Sequence, residues 1–253
     1  MNYTLNSIRI NSEWFDNDKE NVYDKIGYEG LNLYFQLYKF RLHRQEDEHT
    51  FITSISMLRK ETGYKTDNVF NLLKKLKSAN VITIKNVSRW SYLIDSNTKK
   101  VKDKDILHIV ATDTFPIDNY EQQDDRYYIY IPFDLFELYK SKGLNEKYYP
   151  LYCLIKKWSQ NIETKMYMSI EKMAGVLGFD KDYVNKMINN MNRLQLLVSY
   201  KRKRDSGYGY KYEHYILDSA KEEDVQRFLL SHDKLTTVKN SKVENLELIN
   251  IPF

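Results

Sequence analysis

The sequence contains one cysteine, Cys153, and only eight glycines and four prolines in 253 residues. A single cysteine excludes an intrachain disulfide and leaves no cysteine pair for a metal, which fits a reducing cytosol. No uninterrupted apolar run approaches the roughly 20 residues that a membrane-spanning helix needs. Residues 1–5 also lack a basic segment followed by an apolar one. We therefore expect a chain that is neither exported nor embedded in a membrane.

The motifs of the common catalytic sites are missing as well. There is no glycine-rich phosphate loop, no HExxH, no paired CxxC and no serine nucleophile elbow. The tyrosines around residue 208 would suit a nicking enzyme of the rolling-circle type, but the paired metal-binding histidines of such enzymes are absent. The five histidines are scattered, and none lies at metal-ligand spacing from another: His43, His49, His108, His214 and His232. We expect a protein that is not an enzyme and holds neither metal nor cofactor.

Charge and hydrophobicity indicate a folded protein. Charged residues make up 29% and apolar residues 42% of the chain, far from the composition of disordered segments. The net charge of +4 is too small by itself to indicate a polyanionic partner. The distribution of the charges along the chain has to decide that question.

An internal repeat is the strongest signal in the sequence. The segment 54–82 aligns without gaps with the segment 169–197, at an offset of 115 residues. In each copy the pattern predicts a helix, a turn at Gly63 or Gly178, and a second helix with Thr66 or Asp182 near its start as a cap. The buried stripe of the second helix recurs with helical spacing as Val69, Leu72, Leu73 and Leu76, and as Val184, Met187, Ile188 and Met191. This is the pattern of a helix-turn-helix.

Strand-like segments follow each copy. They are residues 82–84, 90–94 and 106–110 in the first copy, and residues 197–200 and 210–217 in the second. An ordinary pair of packed helices would share the helical periodicity, but the hairpin that follows is typical of a winged helix. Each copy is preceded by a short strand and then by a long apolar helix. The two helices are predicted at residues 31–42 and 148–158.

The predicted fold is α+β, mainly α, with two tandem winged helix-turn-helix domains. The first domain would comprise residues 1–115 and the second residues 127–217, with an acidic linker at residues 116–126. Residues 218–253 would form a C-terminal helix and tail. That helix either packs on the second copy or serves as a dimerisation or partner-recruitment segment, and the sequence leaves the role of residues 246–253 open.

Both halves resemble the N-terminal winged-helix domains of DnaD-like proteins and of phage or plasmid replisome organisers and replication initiators of Gram-positive bacteria. In the first half the resemblance is carried by Trp14-Phe15-Asp16-Asn17, Gly30-Leu31, Leu37-Tyr38, Leu58, Glu61-Thr62-Gly63, Val69, Leu72, Leu76 and Val81-Ile82. It extends as a pattern over most of residues 8–217. Members of that group pair one winged helix with a different C-terminal module, whereas two copies in one chain look more like plasmid initiators. The resemblance implies a replication initiator that binds double-stranded origin repeats, with a second copy of the chain and host replication proteins as candidate partners.

In a winged helix the second helix of the helix-turn-helix enters the major groove. Its solvent side in the first copy offers Lys65, Thr66, Asn68, Asn71, Lys74, Lys75 and Lys77. The second copy offers Lys181, Tyr183, Asn185, Lys186, Asn189, Asn190 and Arg193. Asparagine can read adenine edges, and lysine or arginine can contact guanine or phosphate. The same composition also suits a solvated helix surface.

The second hairpin carries the densest positive charge. Four successive cations are interleaved downstream with tyrosines: Lys201, Arg202, Lys203, Arg204, Tyr208 and Tyr210. Four phosphate contacts would give a log-log salt dependence of roughly −3.6. We favour phosphate binding over a loop that is charged for solubility. The first hairpin has a weaker basic run at residues 99–104, which is either a second phosphate contact or a mobile tip.

Three functions remain open at this level. The first is a plasmid or phage replication initiator. The second is a transcriptional regulator, such as an autorepressor, with the same DNA chemistry. The third is an oligomerising protein-interaction scaffold, for which weak, salt-insensitive DNA association and a defined oligomer are expected.

Overall fold

The computed structural model describes residues 7–16, 21–42, 49–112, 128–159, 166, 168–203 and 210–217. The described chain divides into two compact units, one spanning Ile8–Tyr130 and another containing the described residues from Ile131 onward. Both units combine helices with short strands, so the predicted α+β character is confirmed. The predicted linker at 116–126 and the predicted tail at 218–253 lie outside the described residues.

In the part of the chain that the structure describes, the first unit contains three α-helices, three 3-10 helices and several short strands. In chain order these are β1 (Ser7–Asn11), a 3-10 helix (Ser12–Phe15), α1 (Val22–Leu37), a 3-10 helix (Tyr38–Phe40), β2 (Thr50–Ser54), α2 (Ile55–Thr62), α3 (Thr66–Ser78), β3 (Ile82–Ile84), a 3-10 helix (Trp90–Leu93), β4 (Ile106–Ala111) and the start of β5 (Tyr128–Pro132). Strand β4 lies between β2 and β3 and is antiparallel to both. Strand β1 pairs with β5, whose residues up to Tyr130 belong to this unit.

Helix α1 forms the centre of the first unit. The Asn21 side chain caps it by accepting a hydrogen bond from the Asp24 N–H at 2.7 Å. The helix packs against α2 and α3 through a fully buried apolar face that includes Leu31 and Leu33. It breaks at Gly27, which has a φ of 67°, and it ends at Leu37. The predicted helix at 31–42 was therefore placed correctly in the core, but its ends were wrong.

The second unit has the same kinds of element. They are α4 (Leu135–Ser141), α5 (Tyr148–Ser159), α6 (Ile170–Leu177), α7 (Lys181–Arg193), β6 (Leu197–Lys203) and β7 (Tyr210–Ile216). Helix α5 supplies the core, since every side chain from Leu151 to Ile155 is buried, and it packs against α6 and β7. Strands β6 and β7 form an antiparallel pair in which Leu197 lies opposite Ile216 and Lys203 opposite Tyr210.

The two helix pairs have equal dimensions. Helices α2 and α6 have eight residues each, and α3 and α7 have thirteen each, all starting 115 residues apart. The N-cap hydroxyls of Ser54 and Ser169 each accept a backbone hydrogen bond at 3.2 Å. Gly63 and Gly178 end the first helix of each pair with φ values of 73° and 64°. Each pair therefore consists of two helices joined by a short turn and followed by a strand.

Three local predictions were wrong, each for a physical reason. Residues 90–94 were expected to form a strand, but Trp90 turns inward within a 3-10 helix because its ring packs edge-on against Phe70, with the centroids 5.5 Å apart. Helix α7 is capped by Asp180 and not by Asp182, because the Asp180 carboxylate accepts from the N–H groups of residues 182 and 183. Thr66 does not cap α3, since its hydroxyl accepts a hydrogen bond from Arg59.

The helices are short relative to a lipid bilayer. Helix α1, with 16 residues, is the longest in the part of the chain that the structure describes. Among the residues described, no helix combines the length and the apolar character needed to cross a membrane.

Candidate nucleic-acid interface

The outer face of α3 is polar and mainly positive. Its buried side holds the stripe of Val69, Leu72, Leu73 and Leu76, which fixes the helix against the core. The residues exposed on the opposite side are Lys65, Asp67, Asn71, Lys75 and Ser78. Of the residues predicted to contact DNA, Lys65, Asn71 and Lys75 therefore project into solvent. The acidic Asp67 lies among them and was not considered in the sequence prediction.

The remaining predicted residues of α3 make contacts within the unit. The ammonium of Lys74 lies 4.2 Å from the centroid of the Phe70 ring, and that of Lys77 lies 5.4 Å from the Trp90 ring. These cation–π contacts hold both half-buried lysines on the side of the helix that faces the 3-10 helix 90–93. The Asn68 amide lies 3.5 Å from the Glu29 carboxylate, at the limit of a hydrogen bond. Because Trp90 and Glu29 are distant in the chain, helical periodicity could not reveal their contacts.

On α7 the exposed predicted residues are Lys181, Lys186 and Arg193. Lys181 forms an ion pair with Glu171, and the hydrogen bond between them raises the pKa of the Lys181 ammonium. The Arg193 guanidinium donates a hydrogen bond to the side-chain oxygen Oδ1 of Asn190 at 2.7 Å. These two predicted residues therefore already have partners within the unit, although surface pairs of this kind are weak enough to exchange for phosphate.

Helix α7 also carries predicted residues on its flanks. The Asn190 amide donates to the hydroxyl of Tyr148 at 3.0 Å. The Tyr183 ring contacts Phe179 at 5.6 Å between centroids and has the Lys147 ammonium 5.7 Å from its centre. Asn190 and Tyr183 are thus half-buried and connect α7 to neighbouring elements. Their contacts therefore help to hold α7 in place, and less of each side chain is available to a ligand.

One flank of the second helix differs in chemistry between the two units. In α3 it carries Phe70, Lys74 and Lys77, which contact the aromatic cluster at Trp90. The equivalent positions of α7, 115 residues later, are Asn185, Asn189 and Asn192. Asn192 donates to Ser199 in β6 at 2.9 Å, so this flank faces the strand pair. The buried side-chain amide oxygens (Oδ1) of Asn185 and Asn189 have no hydrogen-bond partner in the described structure. The flank is cationic and aromatic in one unit and carries primary amides in the other.

The cationic run of the second hairpin lies mostly within a strand. Lys201, Arg202 and Lys203 are the last residues of β6, and their backbones pair with residues 212, 211 and 210 of β7. The sequence prediction had placed all four cations at the tip of the hairpin. Arg204 and Tyr208 fall outside the described residues. The strand pair fixes the backbone of three cations at its end.

The first hairpin contains exposed groups that sequence reasoning did not single out. They are the cations Lys85 and Arg89 and the ring of Tyr92, which is 57% exposed. The assignment of residues 90–94 to a strand hid them, because alternation would have placed Trp90 and Tyr92 on one face. A 3-10 turn instead separates them. The exposed basic residues Lys99, Lys100, Lys102 and Lys104 follow on the same hairpin.

Three side chains of the types that often perform acid-base or nucleophilic chemistry are withdrawn from solvent to different degrees: Cys153 and His214 are buried, and His49 is half-buried. Burial raises the pKa of the Cys153 thiol well above its usual value. Burial also lowers the pKa of His214 to about 4. The pKa of His49 falls to about 4 as well, through burial and then through the charges of Arg9 and Arg41. Within the described ranges, no group of three or more His, Cys, Asp or Glu side chains could hold a metal ion.

No protein-family model matches this chain, and no curated protein matches it. Among solved structures, the chain is similar to one described as the crystal structure of Pi initiator protein in complex with iteron DNA. The alignment covers 87% of this chain and 100% of that chain, at 13% sequence identity and a TM-score of 0.44. A likeness of this extent establishes neither a family nor a function for the chain.

Proposed function

We propose that the protein binds double-stranded DNA in a sequence-specific manner through two tandem winged helix-turn-helix units. The observation that carries the proposal is the matched pair α2–α3 and α6–α7. The pairs have the same helix lengths, the first helix of each has a serine N-cap and a glycine C-cap, and each pair is followed by antiparallel strands. In such a unit the second helix enters the major groove and the hairpin reaches the backbone. Helices α3 and α7 would then be the recognition helices.

The exposed chemistry of these helices supports that arrangement. Asn71 and Lys75 lie one turn apart on the outer face of α3, and Lys186 and Arg193 are exposed on α7. Such side chains can hydrogen-bond base edges or phosphate oxygens. The cationic end of β6 would contact phosphates beside the groove. Because the Cys153 and His214 side chains are buried, we infer a binding role and not an enzymatic one.

We further propose that the bound DNA is the origin of a plasmid or phage and that the protein initiates its replication in the bacterial cytoplasm. The resemblance of residues 8–217 to winged-helix initiators supports this assignment. Two DNA-binding units in one chain would suit repeated or paired half-sites. A second copy of the chain and host replication proteins are the partners that such a role requires.

Footprinting on the DNA that flanks the gene, at two salt concentrations, tests the proposal. Protected repeats in an AT-rich segment would support initiation of replication. A single protected site that overlaps a promoter would point to an autorepressor instead. Weak and salt-insensitive protection, together with a defined oligomer, would contradict DNA binding as the main role and favour an interaction scaffold.

A charge variant tests the contribution of the second hairpin. Replacing Lys201, Arg202, Lys203 and Arg204 with alanine should weaken binding to all sequences and reduce the log-log salt slope by up to about 3.6. The variant Lys140→Ala/Lys142→Ala removes exposed cations at the end of α4 and should leave the slope unchanged. Equal slopes for the wild type and the quadruple variant would show that the second hairpin does not hold phosphates.

A further inference from the structure

We infer that the segment between β3 and β4, residues 85–105, binds single-stranded DNA and that Tyr92 stacks on an unpaired base. We refer to this segment as the first wing. Single-stranded DNA is a different ligand from the duplex of the proposed function. Three features carry the inference: the exposure of one aromatic ring, the hydrogen bonds that fix its position and the charge around it.

The ring of Tyr92 is presented outward, whereas Trp90 and Leu93 pack inward. Tyr92 is 57% exposed, and Leu93 is only 3% exposed. Trp90, at the start of the same 3-10 helix, is anchored on Phe70. Exposing a large aromatic side chain to water has no stabilising effect on the fold, since the hydrophobic effect favours its burial. The exposed ring is therefore a candidate contact for a ligand with a flat apolar face.

Hydrogen bonds hold the first wing in a defined shape. The Asn86 side chain donates to the Ile106 carbonyl at 2.7 Å and accepts from the His108 N–H at 3.0 Å, which joins the base of the wing to β4. The Lys102 N–H donates to the Leu93 carbonyl at 2.8 Å, directly next to Tyr92. The Ser56 N–H donates to the Asp103 carbonyl at 2.7 Å and ties the wing to α2. A contact surface that is ordered before binding loses less conformational entropy when the ligand binds.

The tip of the first wing is closed by Asp95. Its carboxylate accepts hydrogen bonds from the N–H groups of Asn97 and Thr98 and from the Thr98 hydroxyl, at 2.7 to 3.0 Å. These bonds also lower the pKa of the carboxyl, with the Thr98 N–H as the largest cause. The acidic group that is nearest in sequence to the ring is therefore occupied by the turn itself. The negative charge of the Asp95 carboxylate interacts with the backbone N–H groups of the tip.

The charge of the first wing suits a nucleic-acid backbone. Six exposed cations belong to it: Lys85, Arg89, Lys99, Lys100, Lys102 and Lys104. Three acids, Asp95, Asp103 and Asp105, leave a formal net charge of +3 (6 − 3) on these residues. The backbone of Lys102 is hydrogen-bonded to that of Leu93, the residue after Tyr92. Arg89 lies three residues before Tyr92, so a cation precedes the ring and another is bonded to the residue that follows it. A strand of DNA could then lie with its phosphates near the cations and a base on the ring.

An unpaired base fits this surface better than a base pair does. Both faces of a base within a duplex are covered by its neighbours, whereas an unpaired base offers a free face for stacking. Aromatic platforms combined with cationic grooves are the usual means of binding single strands, and the stacking tolerates any base. The first wing should consequently bind single strands with little sequence preference.

The test uses the full chain and a fluorescein-labelled oligo(dT) of about 12 nucleotides, a length within the range that single-strand sites cover. Binding is measured by fluorescence anisotropy at low salt. Tyr92→Ala should weaken binding roughly tenfold, because the stacking face is lost. Tyr92→Phe should bind like the wild type, since the ring remains. Trp158→Ala removes another exposed aromatic side chain, 47% exposed, and serves as the matched control with unchanged affinity. Thermal unfolding of each variant establishes that the fold is retained.

Duplex binding is measured in parallel with the same variants. Tyr92→Ala keeps all six cations of the first wing, which are the groups able to contact the phosphates of a duplex. We therefore expect its affinity for the footprinted duplex to equal that of the wild type, so failure of duplex binding and failure of single-strand binding are separate results. The inference is overturned if the wild type does not bind the oligonucleotide, or if Tyr92→Ala binds it unchanged. It is also overturned if Tyr92→Phe loses as much affinity as Tyr92→Ala, or if duplex affinity falls equally.

Discussion

His214 shows how a single buried polar group is held in the second unit. The Asn192 amide donates to the Ser199 hydroxyl at 2.9 Å, and that hydroxyl lies 2.8 Å from Nδ1 of His214. The Ser199 hydroxyl can donate to Nδ1 or accept from it, depending on which tautomer the ring adopts. In either tautomer the buried ring is neutral, because burial lowers its pKa. Burial, at 1% exposure, opposes any second proton.

This arrangement predicts a loss of stability at mildly acidic pH. The unfolded histidine takes up a proton near pH 6.5, whereas the folded one has a pKa lowered to about 4. The contribution of the neutral His214 ring to the free energy of unfolding is therefore fully present above pH 6.5. It is lost as the pH decreases toward 4. Between pH 7 and pH 5 the free energy of unfolding should fall by about 2 kcal/mol from this residue, at roughly 1.36 kcal/mol per pH unit. Urea unfolding at the two pH values measures it.

Two substitutions separate His214 from the other histidines. His214→Gln keeps a hydrogen-bonding side chain beside Ser199 and should reduce the pH dependence. His108→Gln changes an exposed residue on β4 and should leave it unchanged. His49 adds to the decrease in the same direction in both variants, because its pKa is also lowered to about 4. An identical pH dependence in the two variants would contradict the assignment.

The exposure of single residues on α3 and α7 followed from the helical periodicity of the sequence. The stripe from Val69 to Leu76 fixes which side of α3 faces the core, so Lys65, Asn71 and Lys75 could be expected outside. The contacts of their neighbours could not be foreseen. The positions of the Lys74 and Lys77 ammoniums depend on Phe70 and on Trp90, and the ring of Trp90 comes from a segment that periodicity had assigned to a strand.

At the scale of elements, the left-handed glycines that end α2 and α6 have a measurable role. Gly63 has a φ of 73°, and a Cβ added there would meet no atom within 4 Å, so the cost of Gly63→Ala comes from the backbone alone. We expect a loss of about 1 kcal/mol in the free energy of unfolding, measured by urea titration. Gly178→Ala should behave in the same way, since its φ is 64°.

Gly175 provides the matched control within α6. It lies in the helix interior, and an added Cβ would meet open space there as well. Gly175→Ala should therefore stabilise the protein by up to about 1 kcal/mol, because alanine restricts the unfolded chain and favours the helix. If Gly63→Ala were as stable as Gly175→Ala, the left-handed end of α2 would not be required.

Helices were easier to predict than strands for a physical reason. The stripes of α2, α3, α6 and α7 are local, and their spacing alone indicates the buried side. Strand β2 depends on pairing with β4, which lies far later in the chain. Its five residues include strand-favouring Thr, Phe and Ile, but so short a run does not by itself distinguish a strand from the start of the helix that follows. The break of α1 at Gly27 also went unpredicted, because a helix interior tolerates a glycine without breaking.

At the scale of the whole molecule, the two units should protect separate parts of one DNA site. If both act as proposed, Asn71→Ala/Lys75→Ala should remove protection of one half and Lys186→Ala/Arg193→Ala protection of the other. Each double variant should lose roughly tenfold or more in affinity, since base and phosphate contacts are lost together. Footprints of the two double variants measure which half of the site loses its protection. Loss of both halves in either variant would indicate that the units do not bind independently.

The equal spacing of the two helix pairs has a practical consequence for engineering. Asn80 and Gln195 follow the second helix with nearly the same left-handed φ, 56° and 59°, so the two pairs end with the same backbone geometry. The outer residues of α7 can therefore be transplanted onto α3 without an insertion or a deletion. If the two units bind DNA as proposed, such an exchange would make a chain whose two units recognise the same half-site. Successive exchanges would then give a series of proteins with chosen specificities.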